Sequence, residues 1–281
     1  VPELPEVETI CRQLNEQVCG RVVTSLTASW EKSLRFAGTQ HEAVVGQKIS
    51  SVERRGKVLL VHLANDCTLL IHLRMTGQLL LDEHRQLVGP MTRAVIGLDR
   101  GQLVFNDQRK FGSIVVMETS DVDSDSLLAR LGPEPLAKEF TVKVLAARLG
   151  RHRSASVKAA LLDQSTVAGL GNIYVDEVLF VARVHPLQTC ASLNKAEISR
   201  LAEAIPTVLR AGIAAGGSTM RDYRDASGAS GSYLDQAQVF GRTGEPCRSC
   251  ATLITKIRVA GRGTHLCLTC QPFGKRPREN K

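Results

Sequence analysis

Apolar positions recur at helical spacing over residues 5–18, where Val7, Ile10, Leu14 and Val18 share one face, and Gly20 closes the run. The period then shortens. Alternating or β-branched runs occupy residues 22–27, 44–52, 58–63, 68–73, 79–82, 94–99, 103–106 and 114–118, with Gly, Asn and Asp between them. Short strands with such turn signals predict a β-sandwich over roughly residues 20–120. An acidic stretch at 121–126 reads as a linker, and Gly132-Pro133-Glu134-Pro135 as a rigid connection. From there the pattern turns helical, at 141–149, 155–162, 173–181 and 195–215. Strands followed by helices give an α+β chain. Residues 216–233, rich in Gly, Ser and Ala, read as a flexible loop.

Composition narrows the class. A chain of 281 residues is long enough for two domains, and 43% hydrophobic content with only 4% aromatics predicts aliphatic cores. No run of about 18 apolar residues is present, and no basic region precedes an apolar one at the N-terminus. Both observations argue against membrane and secreted classes, and the expected compartment is the cytoplasm. The formal net charge of +8 favours a polyanionic partner. Residues 241–281 hold nine Lys/Arg against two Glu, hence +7, which leaves only about +1 of the +8 for everything before them.

Within that basic region, Cys247-x-x-Cys250 and Cys267-x-x-Cys270 flank sixteen residues. Two thiolates spaced this way approach one ion from a single turn, and two such turns complete a tetrahedral four-sulfur site. The disulfide reading needs an oxidising compartment, which nothing in the chain signals. One structural zinc is therefore the expected cofactor, because four sulfurs leave no open position for water. Cys11, Cys19, Cys67 and Cys190 stand apart from the motif and read as inert core thiols. Residues 272–281, with Lys275, Arg276 and Arg278, read as a disordered basic tail.

Other residues are ambiguous on their chemistry alone. The opening Val-Pro-Glu-Leu-Pro-Glu-Val-Glu suits an ordinary helix start, with proline in the first turn and carboxylates against the helix dipole. It also suits catalysis. A free N-terminal amine titrates near pH ~8 and is a nucleophile at neutrality. A proline amine adds to an aldehyde-level carbon as a charged iminium, an electron sink, and Glu3 is placed to pass protons. Lys57 lies at a turn and His72 in a strand, while Met75 and Phe111 are residue types that cores use. Asn172 follows Gly169-Leu170-Gly171, where it suits an N-cap, and amides at such a helix start can hold a phosphate.

Taken in order, these motifs resemble the bacterial formamidopyrimidine-DNA glycosylase family. The resemblance rests on Pro2-Glu3-Leu4-Pro5-Glu6-Val7-Glu8-Thr9, Arg55-Gly56-Lys57, His72-Leu73-Arg74-Met75-Thr76-Gly77 and Asn106-Asp107-Gln108-Arg109-Lys110-Phe111-Gly112. It continues through Gly132-Pro133-Glu134-Pro135, Gly169-Leu170-Gly171-Asn172 and the four cysteines, and so spans Pro2 to Cys270. It implies an N-terminal β-sandwich catalytic domain with flanking helices (1–130) and a helix–two-turn–helix DNA-binding domain carrying a lesion-recognition loop (131–240). A zinc-finger β-hairpin (241–271) and the basic tail (272–281) follow. The implied activity is that of a bifunctional DNA glycosylase and AP lyase in base-excision repair. Such an enzyme removes 8-oxoguanine and formamidopyrimidines, then nicks the strand by β,δ-elimination. The implied partner is double-stranded DNA containing oxidised purines or abasic sites. The implied protein is a monomer in the bacterial cytoplasm, associated with the nucleoid and not with a membrane, and it needs no redox or nucleotide cofactor.

Roles follow residue by residue from the resemblance. Pro2 is the nucleophile and Glu3 the acid at the sugar ring oxygen, while Lys57 and Arg262 grip phosphate and Asn172 clamps the backbone. Met75, Arg109 and Phe111 form the wedge that fills the gap left by an extruded base. His72 belongs to the same DNA-binding set, and Arg221 to a mobile lid over the flipped base. Glu177 is a buried structural carboxylate. Gln108 stands where some members carry proline. Val1 precedes Pro2, and acylation by Val1 would remove the nucleophilic lone pair. Val1 is expected to be the literal translation of a GTG start codon, initiated as methionine and trimmed. Two alternatives remain open: a catalytically blocked damaged-DNA-binding protein that keeps Val1, and the sibling glycosylase for oxidised pyrimidines. The opening motif and the long 216–233 segment favour the purine enzyme.

Overall fold

The computed structural model describes residues 2–220 and 222–273; Val1, Arg221 and the basic tail from residue 274 onward lie outside the described residues. The chain forms two compact units, one from Val1–Ala129 with Gly212–Ser232 and the other from Arg130–Ala211 with Tyr233–Lys281.

The first unit opens with helix α1 (Leu4–Val18). Its start is a reciprocal capping box: the Glu3 carboxylate accepts the Glu6 amide, and the Glu6 carboxylate accepts the Glu3 N–H at 2.7 Å. Val7, Ile10, Leu14 and Val18 are all buried, as the spacing predicts, and Gly20 ends the turn at φ 84°. Among the described residues nine strands follow: β1 (Val23–Ala28), β2 (Leu34–Ala37), β3 (Ile49–Arg55), β4 (Val58–Leu63), β5 (Cys67–His72), β6 (Gly77–Asp82), β7 (Thr92–Leu98), β8 (Gln102–Asp107) and β9 (Ser113–Glu118). They make a four-stranded sheet in the order β1-β7-β8-β6 and a five-stranded sheet in the order β2-β9-β5-β4-β3. Leu26, Leu79, Ile96 and Phe105 from the first sheet share one apolar core with Val52, Val61, Ile71 and Val116 from the second and with α1. This is the expected sandwich.

Three details differ from the sequence expectation. Strand β3 begins at Ile49 rather than at residue 44, because His41–Ala43 is a 3-10 turn and Gly46 takes φ 86°. Strand β2 has no counterpart among the expected strands. It is four residues long, mostly exposed, and pairs in parallel with the distant β9, so no local alternation betrays it. Residues 223–229 are anchored, not loose. Tyr223 and Ala226 join the sandwich core, and the Ala226 carbonyl accepts the Leu81 N–H at 2.8 Å. Asp225 Oδ1 accepts the Ser227 amide and hydroxyl and the Ala229 amide at 2.8–3.0 Å. The polar residues that suggested flexibility satisfy one another.

The second unit contains α2 (Val142–Leu149), α3 (Val157–Leu162), α4 (Asn172–Val181), α5 (Lys195–Ala214, whose last turn belongs to the first unit) and α6 (Tyr233–Gln236). Thr141 and Ser156 cap α2 and α3 through their hydroxyls. Strands β10 (Thr255–Val259) and β11 (Arg262–Leu266) form an antiparallel hairpin. Its two-residue turn places Ala260 at φ 48° and Gly261 at φ 74°, both left-handed, as a twisted hairpin requires. Among the described residues no helix is long and apolar enough to cross a membrane. Cys11, Cys67 and Cys190 are buried as expected, but Cys19 is exposed at the end of α1, beyond the face that packs.

Candidate functional site

In the first unit, Pro2 and Glu3 are both buried at the capped start of α1. Glu6, one turn along, is also buried. Besides the Glu3 amide it accepts the Ser218 N–H at 2.6 Å and the Ser218 hydroxyl at 2.9 Å. Its neighbour on the same helix, Glu8, forms a 2.8 Å ion pair with Arg54 on β3. Burial alone would raise the Glu8 carboxyl, but hydrogen bonds from Arg54 and Arg12 outweigh it and hold the group below the usual range. The other end of the Arg54 guanidinium donates to the Gly56 carbonyl at 3.0 Å, so α1 is tied to the β3–β4 turn that carries Lys57.

Across the β4–β5 pair, Val58 lies opposite His72. Burial pushes the His72 imidazole down to about 3, with Arg74 and Lys57 adding to the shift. It is therefore neutral at physiological pH. Its Nδ1 accepts the Arg74 N–H at 2.9 Å, which leaves the proton on Nε2 as a donor.

Met75, Arg109 and Phe111 come together on the surface although they belong to two different connections, β5–β6 and β8–β9. The Arg109 guanidinium lies 3.0 Å from Met75 Sδ and 4.9 Å from the Phe111 ring centroid. Met75 is 38% and Phe111 55% exposed. The core roles that their residue types suggested are excluded by this exposure. Beneath them the buried Asp107 accepts from Thr76 and from three backbone amides of its own loop, an anchor that no local sequence pattern marks.

In the second unit, Gly171, not Asn172, is the N-cap of α4. The Asn172 side chain instead donates to the Gly263 carbonyl at 3.0 Å, next to the exposed Arg262 at the hairpin tip. The same carbonyl receives the Lys158 ammonium at 3.2 Å. Lys158 also pairs with Asp176 at 2.6 Å, both fully buried, and the other Asp176 oxygen accepts the His265 amide at 2.8 Å. This connection between α3, α4 and β11 was legible only as two charges, Lys158 and Asp176, at otherwise apolar helical positions. Glu177 accepts three amides, of Gln238, Val239 and Phe240, at 2.7–2.9 Å, the structural carboxylate expected of it.

The sulfurs of Cys247, Cys250, Cys267 and Cys270 lie within 4.8 Å of one another. A tetrahedral zinc with Zn–S near 2.3 Å places its sulfurs roughly 3.8 Å apart, so the cluster fits one ion. The Ser249 and Cys270 amides point at Cys247 and Cys267 sulfurs at 3.4 and 3.5 Å, as they do around bound thiolates. One structural zinc holds the finger.

A two-sheet sandwich with a capped amino-terminal helix is thus followed by a helical unit with a four-thiolate finger. Family models match over most of the length: the formamidopyrimidine-DNA glycosylase N-terminal domain over residues 1–114, its H2TH domain over 131–224, and the zinc finger found in FPG and IleRS over 244–272. The chain belongs to the formamidopyrimidine-DNA glycosylase family. It is similar to the formamidopyrimidine-DNA glycosylase of Herpetosiphon aurantiacus, at 46% identity over 96% of this chain and 100% of the relative. Among solved structures it is similar to wild-type Lactococcus lactis Fpg with DNA containing N7-benzyl-Fapy-dG, at TM-score 0.89 and 37% identity, covering 97% and 100% of the two chains. A complex of Lactococcus lactis Fpg with DNA containing an abasic site matches at TM-score 0.89 and 37% identity, covering 96% and 100%.

Proposed function

We propose that this protein excises oxidised purines from duplex DNA and then cleaves the resulting abasic strand. The observation that carries the reading is the exposed contact of Met75, Arg109 and Phe111. Large apolar groups held together on the surface mark a place that another surface can cover. A base stack opened by removal of one base is such a cover, and the cost of unstacking is a few kcal/mol. Solved relatives carry Fapy-dG or abasic-site DNA, which agrees with this substrate class.

In the proposed reaction the free amine of Pro2 attacks C1′ of the damaged nucleotide, and the glycosidic bond breaks, releasing the base with its electron pair. Glu3 donates a proton to the sugar ring oxygen, and the C1′–O bond opens to an iminium on Pro2. The iminium acidifies C2′–H; loss of that proton expels the 3′-phosphate, and a second elimination expels the 5′-phosphate. Lys57, Arg262 and Asn172 hold phosphates, which position the duplex without reading sequence. His72 offers its Nε2 proton to the same DNA surface, and Arg221 belongs to the segment that covers the extruded base. Residues 1–130, 131–240 and 241–271 act as catalytic, DNA-binding and finger modules. The protein works as a monomer in the cytoplasm, on the nucleoid.

The test is borohydride trapping on an 8-oxoguanine duplex. A chain whose first residue is Pro2 is expected to give a covalent adduct. A chain that keeps a residue before Pro2, or carries Glu3→Gln, is expected to give little or none. Equal trapping by chains with and without a blocked Pro2 nitrogen would overturn the nucleophile assignment.

A further inference from the structure

We propose that Asp107 is the positioning residue of the wedge, a buried carboxylate that turns the polar connection 107–112 into a fixed mount for Arg109 and Phe111 and ties it to Met75. The inference rests on the wedge reading above and deepens it. An ionised carboxylate is acceptor-only, with about four lone-pair sites. In Asp107 all four are used. Oδ1 accepts the Thr76 hydroxyl at 2.5 Å and the Arg109 amide at 3.2 Å; Oδ2 accepts the Phe111 and Gly112 amides, both at 2.7 Å. Thr76 follows Met75 directly, and its hydroxyl oxygen also accepts the Arg109 amide at 3.1 Å. One side chain therefore fixes both connections that supply the wedge.

The surroundings are built for that carboxylate. A Cβ at Gly112 would lie 2.5 Å from the Phe105 ring and 3.2 Å from Asp107 Oδ2, so the close approach of the Gly112 amide needs glycine. Lys110 adopts φ 59°, an uncommon conformation for a side-chain-bearing residue, and its ammonium sits 4.3 Å from the Trp30 ring centroid. The connection is thus held from below by Asp107 and from the side by Trp30, while Phe111 projects outward. Asp107 is 1% exposed and cannot itself reach DNA. Its effect is to order the wedge before binding, so that insertion loses little side-chain and loop freedom.

Trp30 is the single tryptophan of the chain, so its emission reads the placement of this connection directly. The experiment compares Asp107→Asn, Phe111→Ala and the parent chain, with bound zinc and circular dichroism confirming the fold. Asparagine keeps the shape but replaces one acceptor oxygen with a donor. We expect Asp107→Asn to change Trp30 emission and to slow single-turnover excision of paired 8-oxoguanine by on the order of 10²-fold, the scale of a ~1 Å misplacement. Trapping on single-stranded abasic DNA, where nothing is unstacked, should fall far less. Parent-like emission and excision for Asp107→Asn, with Phe111→Ala impaired, would overturn the positioning role and leave the wedge standing. Parent-like excision for Phe111→Ala would overturn the wedge reading itself. Should Asp107→Asn not fold, Thr76→Val removes one of the four bonds to Asp107 together with the bond that Thr76 accepts from the Arg109 amide. It is expected to show a smaller loss confined to the paired lesion, and a parent-like result there also overturns the proposal.

Discussion

The Glu6 carboxylate accepts both the backbone N–H and the hydroxyl of Ser218, at 2.6 and 2.9 Å, across 212 residues of sequence. Its second oxygen accepts the Glu3 N–H at 2.7 Å. One buried group thus joins the start of α1, beside Pro2, to the base of the 216–232 segment. Gly217 permits the approach: it takes φ +87°, and a Cβ there would lie 2.9 Å from Glu6 Oε1.

Glu6→Gln should therefore act at both ends of this link. The amide group keeps one acceptor and turns a donor toward N–H groups that need an acceptor. Hydrogen bonds to a buried charge are worth about 1.5–3 kcal/mol each, and a drop in Tm together with slower excision is expected. Thermal melts and single-turnover rates read the two effects. An unchanged Tm would remove Glu6 from this role.

Arg262 precedes Gly263 in the chain and Lys158 donates to the Gly263 carbonyl, but the two should fail differently. Arg262 is exposed at the hairpin tip, so Arg262→Ala should leave unfolding unchanged and weaken all lesion duplexes by a similar factor. Loss of one phosphate contact flattens the salt dependence by about one unit of slope. Lys158→Met strands the buried Asp176 charge, which costs about 3–5 kcal/mol. Denaturant melts and binding across a salt series separate the two. A loss in Arg262→Ala confined to one lesion would contradict a phosphate grip.

His72 gives a pH dependence of defined sign. Its folded pKa is about 3, below the ordinary 6.5, with burial the main cause and Arg74 and Lys57 assisting. Below 6.5 the unfolded chain binds a proton that the folded chain refuses, so this contribution is present above 6.5 and is lost as pH falls toward 3. The slope reaches at most about 1.4 kcal/mol per pH unit for one group. His72→Gln should flatten the acid limb of a stability–pH curve. The same steepness in parent and variant would show that other groups set it.

Zinc should be integral to the finger and not to the sandwich. Elemental analysis is expected to find about one zinc per chain, since binding energy is folding energy for so small a module. Cys250→Ser should lose zinc and DNA binding, while Trp30 emission, which reports the first unit, stays as in the parent. Zinc-free protein that binds duplex normally would refute the arrangement.

Short-range signals carried much of this protein. The 3.6-residue period of Val7, Ile10, Leu14 and Val18 specifies a helix, alternation specifies strands, and paired Cys-x-x-Cys turns specify a metal, because each depends on neighbours in the chain. Local rules failed where partners are distant. The parallel strand Leu34–Ala37 exists because β9 lies beside it. Residues 223–229 read as flexible because they are small and polar, yet their polar groups bond to one another and their two apolar anchors enter the core that α1 and both sheets share. Met75, Arg109 and Phe111 have ordinary residue types in two separate turns. Only tertiary packing exposes them side by side above Asp107. A buried carboxylate is written as one letter in the sequence; which donors surround it is decided when the strands pair, and with it what Glu6, Asp107 and Asp176 each hold in place.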